Sequence, residues 1–215
     1  TEVIAQSSKK RECWGLSDRP VWIAASTHNG EEQIILDVFK RLKESYQDLA
    51  LILVPRHPYR AAKIGKEFGD RGFSVCFESA LSQDSLLNRF DILIGDVMGS
   101  LVELYGLADI ALVGGSFIKV GGHNPIEPAA YGLPILVGPE QYNFSEVMVE
   151  FEKNGGLNTV SDAVELYKRL DFLFGSREQR EKMGTAALAT IEKNKGTTEK
   201  LTELLETRIS SIVVY

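Results

Sequence analysis

The stretch Gly121-Gly122-His123-Asn124-Pro125-Ile126-Glu127 gathers a bare backbone, an imidazole and a carboxylate within seven residues. It also reads as the start of a helix. Asn124 can cap, Pro125 suits the first helical position because no N–H is needed there, and Glu127 can reach back to the cap. The two glycines and the histidine exceed what a cap requires. A permissive backbone and a titratable ring beside the positive end of a helix dipole make an anion site. Two jobs stay open for Glu127: the carboxylate of a capping box, or an acceptor for both hydroxyls of a ribose.

Other segments hold similar groups. Arg56 and His57 stand between Pro55 and Pro58, which fix φ on both sides. A guanidinium held this rigidly suits a phosphate or carboxylate, which its fork can bind twice. The alternative is a surface arginine paired with a helix acid. Ser26-Thr27-His28 is either a turn whose hydroxyls cap the next helix or a set of donors to a phosphate or sugar. Gly114-Gly115-Ser116 allows close backbone approach, and equally a plain tight turn. Asp96 and Glu140 are acids at strand ends, and nothing in the sequence brings them together for acid–base work. No GxGxxG or Walker sequence occurs, so dinucleotide and P-loop readings lose their main support.

The elements that position these groups follow from apolar patterning. Short runs rich in Val, Ile and Leu predict strands at 21–26, 49–55, 73–77, 90–96, 109–115 and 133–139. Helical segments lie between them, from about Glu31 to Tyr46 and after Pro58. This alternation predicts an α/β fold, a doubly wound parallel sheet covered on both faces. Helix dominates after residue 161, where Leu166, Leu170 and Leu173, and then Leu201, Leu204 and Leu205, repeat at helical spacing as core stripes. Residues 1–19 are polar and aperiodic and read as a lead-in or linker with Trp14 as an anchor. The domain proper is expected over 20–215. In such a sheet the ligand lies beyond the carboxyl ends of the strands, and every Gly-, His- and hydroxyl-rich segment falls on that one rim.

Bulk properties exclude several classes. The net charge is −6 and the densest basic run is Lys9-Lys10-Arg11. Nucleic acid is therefore not an expected partner, since its binding needs clustered cations. Cys13 and Cys76 have no CxxC partner and only three histidines accompany them, which predicts neither a zinc site nor a disulfide framework, and a reducing compartment. No apolar run is long enough to span a membrane and no signal peptide opens the chain. The first residue is Thr1, which hints at a fragment.

The segments PVWIAASTHNGEE, LILVPRHP, GDVMGSLVELYG, VGGSFIKVGGHNPIEPAAYGLPILVGP and the NF at 143–144 together resemble the C-terminal half of the Kdo (3-deoxy-D-manno-octulosonic acid) transferases. Those enzymes add Kdo to the lipid A precursor during lipopolysaccharide synthesis in Gram-negative bacteria. The resemblance runs from about residue 12 to about 205. It implies the C-terminal, Rossmann-like domain of a GT-B glycosyltransferase, binding the donor CMP-Kdo without a metal or other cofactor. It implies Arg56 and His57 near the donor's phosphate and sugar acid, and Ser26 and Thr27 on the cleft floor. Ser116, Gly122, His123 and Asn124 would form the phosphate-side loop, Glu127 would take the ribose, and Met98, Gly99 and Asn143 would complete the donor site. Arg56 and His123 are the implied stabilisers of the leaving group. The resemblance places the catalytic base, the lipid A acceptor and the membrane contact in an N-terminal half, and the whole enzyme at the cytoplasmic face of the inner membrane; this piece alone is expected to be soluble and inactive.

One departure is local. The family usually has GDTMGEL where this chain has GDVMGSL, so Val97 and Ser100 replace Thr and Glu. Glu103, one turn on, is a candidate substitute for the lost acid. Two rival readings stay open: another GT-B-type enzyme such as a nucleotide-sugar epimerase, and a non-catalytic nucleotide-binding domain.

Overall fold

Short apolar runs whose alternate side chains must point to opposite faces can be buried on both sides only if both faces are covered. A computed structural model of the chain, describing residues 2–81 and 89–193, shows this arrangement. The strands are β1 (Val21–Thr27), β2 (Ala50–Pro55), β3 (Val75–Phe77), β4 (Ile92–Ile94), β5 (Ile110–Val113), β6 (Ile135–Val137) and β7 (Leu157–Thr159). All pair in parallel, in the order β3-β4-β2-β1-β5-β6-β7. The six expected strands are present, five with trimmed ends and β1 one residue longer. β7 is additional.

The helices are α1 (Glu2–Cys13), α2 (Glu31–Ser45), α3 (Ala61–Asp70), α4 (Leu101–Tyr105), α5 (Ile126–Ala130), α6 (Ser145–Asn154) and α7 (Ala163–Gly175). A further helix, α8, spans 177–193. Trp22 and Ala24 of β1 face one layer, packed with Leu36 and Phe39 of α2, Phe68 of α3 and Leu166, Leu170 and Leu173 of α7. Val21, Ile23 and Ala25 face the other, with Leu104 and Tyr105 of α4. Met183 joins the first layer and Ala187 joins the β6, β7 and α6 cluster, so α8 bridges both. The leucine stripe at 201, 204 and 205 lies outside the described residues.

The lead-in read from residues 1–19 contains a helix, α1, despite its polar, aperiodic sequence. What holds it lies at its carboxyl end. The Arg11 guanidinium donates to the carbonyls of Leu107, Leu16 and Arg19 and pairs with Asp109 at 3.1 Å. Trp14 and Leu16 insert into the second-layer core. Tertiary anchoring substitutes for an amphipathic stripe, which is why periodicity gave no signal.

Candidate functional site

β1 lies at the centre of the sheet, with β2, β4 and β3 running outward on one side and β5, β6 and β7 on the other. The crevice of such a sheet opens where the strand order reverses, here between the carboxyl ends of β1 and β5. His28 follows β1 and His123 follows β5, and they meet there with Nε2 to Nε2 at 2.8 Å and ring planes 7° apart. His57, after β2, contacts His28 edge-on at 5.9 Å between ring centres and stacks on Tyr59. All three histidines of the chain thus gather at one crevice. Among the described residues, no three His, Cys, Asp or Glu side chains converge as a metal-binding set.

Two ring nitrogens at this distance must be one donor and one acceptor. Burial, followed by the neighbouring His28, Arg56 and His57, pulls His123 down to about 4. Burial also lowers His28, with His57 and Arg60 acting in the same direction and Glu31 and Glu32 against it. Burial thus disfavours the charged form of both rings. The sequence left Ser26-Thr27-His28 open between a turn and a set of ligand donors and did not single out His28. The available signal was the rarity of histidine combined with the carboxyl-end placement of all three.

Glu31 is a second residue that sequence reasoning missed. It opens α2 at 1 % exposure. Its carboxylate accepts backbone N–H bonds from His28 at 2.9 Å, Gly115 at 2.8 Å, and Ser116 and Phe117 at 3.0 Å. The N–H groups of Gly115, Ser116 and Phe117 after β5 are therefore already taken by an internal anion. Ser116 is fully buried, its hydroxyl donating to the Val113 carbonyl and accepting from the Gly138 N–H. Thr27 is fully buried too, donating to Glu32, which also pairs with Arg60 at 2.7 Å. Each of these two hydroxyls is committed to a protein partner, so Ser116 and Thr27 brace the crevice from inside. Ser26 remains half-buried at the rim, with φ +56 where the β1–β2 register shifts. That turn presses on Gly114, where a Cβ would sit 2.8 Å from the Ser26 carbonyl oxygen.

Arg56, after β2, and Glu127, after β5, are less committed. Arg56 is exposed at the end of β2, held through its backbone N–H to the Thr27 carbonyl. Among the described residues its guanidinium has no hydrogen-bond or ion-pair partner, so the paired-surface-arginine alternative is not what the structure contains. Glu127 is half-buried beside Tyr105, whose hydroxyl is pushed up by burial and then by that carboxylate. Among the described residues the Glu127 carboxylate also lacks a hydrogen-bond partner.

The helix start differs from the expectation. α5 begins at Ile126 with Pro125 in the capping position, and the Asn124 Oδ1 accepts the Ile126 N–H at 3.0 Å. Glu127 does not reach back, so the capping box is absent. The helix is also only five residues long, which leaves little dipole to offer an anion. The Gly122 N–H donates to the Gly115 carbonyl and is likewise committed. Gly115, at φ +68, lets the His123 ring pack against it, since a Cβ would lie 2.9 Å from Cδ2. Asn143 pins this loop, its Nδ2 donating to the carbonyls of Val120 at 3.0 Å and Gly122 at 3.3 Å.

Farther along the rim Met98 is exposed and Gly99 adopts φ +84. Ser100 donates to Glu78 at 2.7 Å, and burial raises that carboxyl above its ordinary range. Glu103 instead pairs with Lys10 of α1 at 2.6 Å, away from the role of substitute acid. Asp96 is taken up by the N–H and hydroxyl of Ser79.

Comparison with known proteins gives the site a context. Residues 22–190 match the family described as glycosyl transferases group 1. The chain is 38% identical over 209 residues, 95% of its length, to a 3-deoxy-D-manno-octulosonic acid transferase of Haemophilus influenzae, of which it covers 48%. It is 37% identical over 157 residues, 73% of its length, to the enzyme of the same name from Aquifex aeolicus, of which it covers 42%. The chain therefore spans about half the length of these relatives. Among solved structures it is similar to the C-terminal CMP-Kdo binding domain of WaaA from Acinetobacter baumannii. That likeness has a TM-score of 0.80 and 28% identity, over 88% of this chain and 98% of that one.

Proposed function

We propose, from the premise that this chain belongs to the group 1 glycosyl transferases, that it is the CMP-Kdo-binding half of a Kdo transferase. The observation that carries this reading is the similarity to a CMP-Kdo binding domain along nearly the whole of both chains. Residues 20–215 are the nucleotide-sugar domain and 1–19 lead into it. The whole enzyme transfers Kdo to a lipid A precursor in lipopolysaccharide synthesis. The acceptor, the membrane contact at the cytoplasmic face and the base belong to the other half of such an enzyme. No described helix of this chain is long and apolar enough to cross a membrane.

In this reading the base removes a proton from an acceptor hydroxyl, whose oxygen attacks the anomeric carbon of Kdo with inversion. The bond to CMP breaks and charge accumulates on the departing phosphate. Arg56 faces that charge, and its planar fork can give two N–H groups to it as the charge grows. His57 stands beside it, and His123 and Asn124 lie on the other side of the crevice. Glu127 accepts the ribose hydroxyls with a carboxylate that has no hydrogen-bond partner to give up among the described residues. Ser26, Met98, Gly99 and Gly122 shape the rim, and Asn143 positions the Gly122–His123 loop. Thr27 and Ser116 act one layer beneath.

The test is a titration of this chain with CMP, UMP and AMP, read by calorimetry and by the rise in melting temperature that binding to the native state produces. CMP should bind more tightly than the other two. Equal affinities would remove the cytosine preference, and no binding by any of them would remove the phosphate site. A UMP preference would favour the epimerase-like alternative.

A further inference from the structure

His28 has no part in the reading above, yet it is the direct partner of a proposed donor residue. The 2.8 Å contact with His123 limits what the two rings can hold. Neutral, they share one N–H between the facing nitrogens. With one added proton they still share that N–H, and both Nδ1 atoms carry hydrogen. A second added proton would point two N–H groups at each other and break the contact. The pair is therefore a receptor for one proton.

The groups facing it decide when that proton arrives. From the segment after β2 come Arg56, His57 and Arg60, and from the start of α2 come Glu31 and Glu32. The two acids are committed elsewhere, Glu31 to four backbone N–H groups and Glu32 to Arg60 and Thr27. Arg56 is the neighbouring charge without an ion-pair partner among the described residues. It opposes protonation until an anion enters. A phosphate diester carries one negative charge, whereas a released phosphate monoester carries close to two at neutral pH. A fixed guanidinium offers the same charge before and after. A histidine pair can add charge as the leaving group does.

We propose that His28 and His123 form a single proton receptor for the nucleotide phosphate, resting neutral and taking one proton from water when a phosphate monoester binds beside them. His28 is the positioning residue that holds the His123 ring and shares its proton. This rests on the reading of the crevice as a CMP-Kdo site.

The experiment titrates the 215-residue chain with CMP at pH 7.5, in buffers of different ionisation enthalpy. The dependence of heat on buffer counts the protons exchanged. More than about half a proton should be taken up per CMP bound. His28→Phe keeps a ring and removes the nitrogen. It should lose the uptake and weaken CMP binding about tenfold, the loss of one charge-assisted contact. His28→Gln removes the ring but keeps an amide able to pair with Nε2, and should retain most of both. Ring-nitrogen NMR of the unsubstituted chain reads the pair directly. One Nε2 should be protonated and its partner bare in the free state, and both Nδ1 atoms should be protonated with CMP bound. CMP binding without proton uptake, or a Phe variant that behaves as the parent, overturns the receptor while leaving the CMP site standing. Absence of any CMP binding overturns the site itself and the receptor with it.

Discussion

The two stretches that leave β5 in succession, 114–117 and 119–127, are both glycine-bearing loops on the same rim, and they differ in whether their polar groups are already satisfied. In the first, Gly115, Ser116 and Phe117 turn their N–H groups onto the buried Glu31 carboxylate. In the second, the Glu127 carboxylate has no hydrogen-bond partner among the described residues, and the same is true of the Arg56 guanidinium at the crevice. The Glu31 nest resembles an anion site that has closed on an anion of its own. Glycine-rich sequence after a buried strand thus indicates where backbone can approach an anion, and does not say whose anion it will be. The contrast separates residues that should control folding from residues that should control binding.

The sharpest break of that contrast is Glu31→Gln. The amide offers one acceptor where the carboxylate offers two, and turns N–H groups toward other N–H groups. Unsatisfied buried donors cost about 1–3 kcal/mol each, so a loss of about 3 kcal/mol of stability is expected. Urea denaturation measures it; a midpoint near that of the parent would show that the loop holds without its internal anion. Arg56→Lys should do the reverse. It should leave the melting temperature in place and weaken CMP binding by about 1–2 kcal/mol, because a point charge replaces a planar two-donor fork. Unchanged affinity in calorimetry would remove Arg56 from the site.

Glu127 sharpens the comparison further. With the capping box absent, neither Glu127→Gln nor Glu127→Ala should lower the ligand-free melting temperature, and both should weaken CMP binding, Ala by about 1 kcal/mol or more. A stability loss in the Ala variant would return a capping role to this residue. The smallest effect concerns pH. His123 is held at about 4 in the folded chain, against about 6.5 when unfolded. Between these values the unfolded chain binds the extra proton and the folded chain does not, so acidification through that window favours unfolding. The ligand-free melting temperature should fall from pH 7 to pH 5, and His123→Gln should shrink that fall. An identical fall in both proteins would mean that carboxylates alone account for it.

Local pattern carried most of the architecture. The strands from Val21 to Val137 were legible because buried parallel strands are short, dense runs of Val, Ile and Leu. The rim rule then gathered the candidate residues on one edge without any contact information. β7 escaped because Leu157-Asn158-Thr159 buries one apolar side chain and shows no run. α1 escaped because the contacts that fasten it are made by Arg11, Trp14 and Leu16 rather than by a stripe. The bend at Asn124-Pro125 was legible as a helix start, but the reach of Glu127 was not, since a capping box depends on where the first turn actually begins.

What the sequence alone determined is therefore most of the elements, their parallel pairing class and the rim that carries the candidate site, because each depends on periodicities within a few residues. What only the tertiary structure decided is the use of individual groups. That Glu31 would meet an N–H group 84 residues away, and His28 a ring 95 residues away, follows from β1 and β5 lying side by side at the switch point. The sequence of either strand is silent about its neighbour. Hydrogen-bond partners across that boundary separate a committed group from a free one, and they exist only once the sheet has assembled.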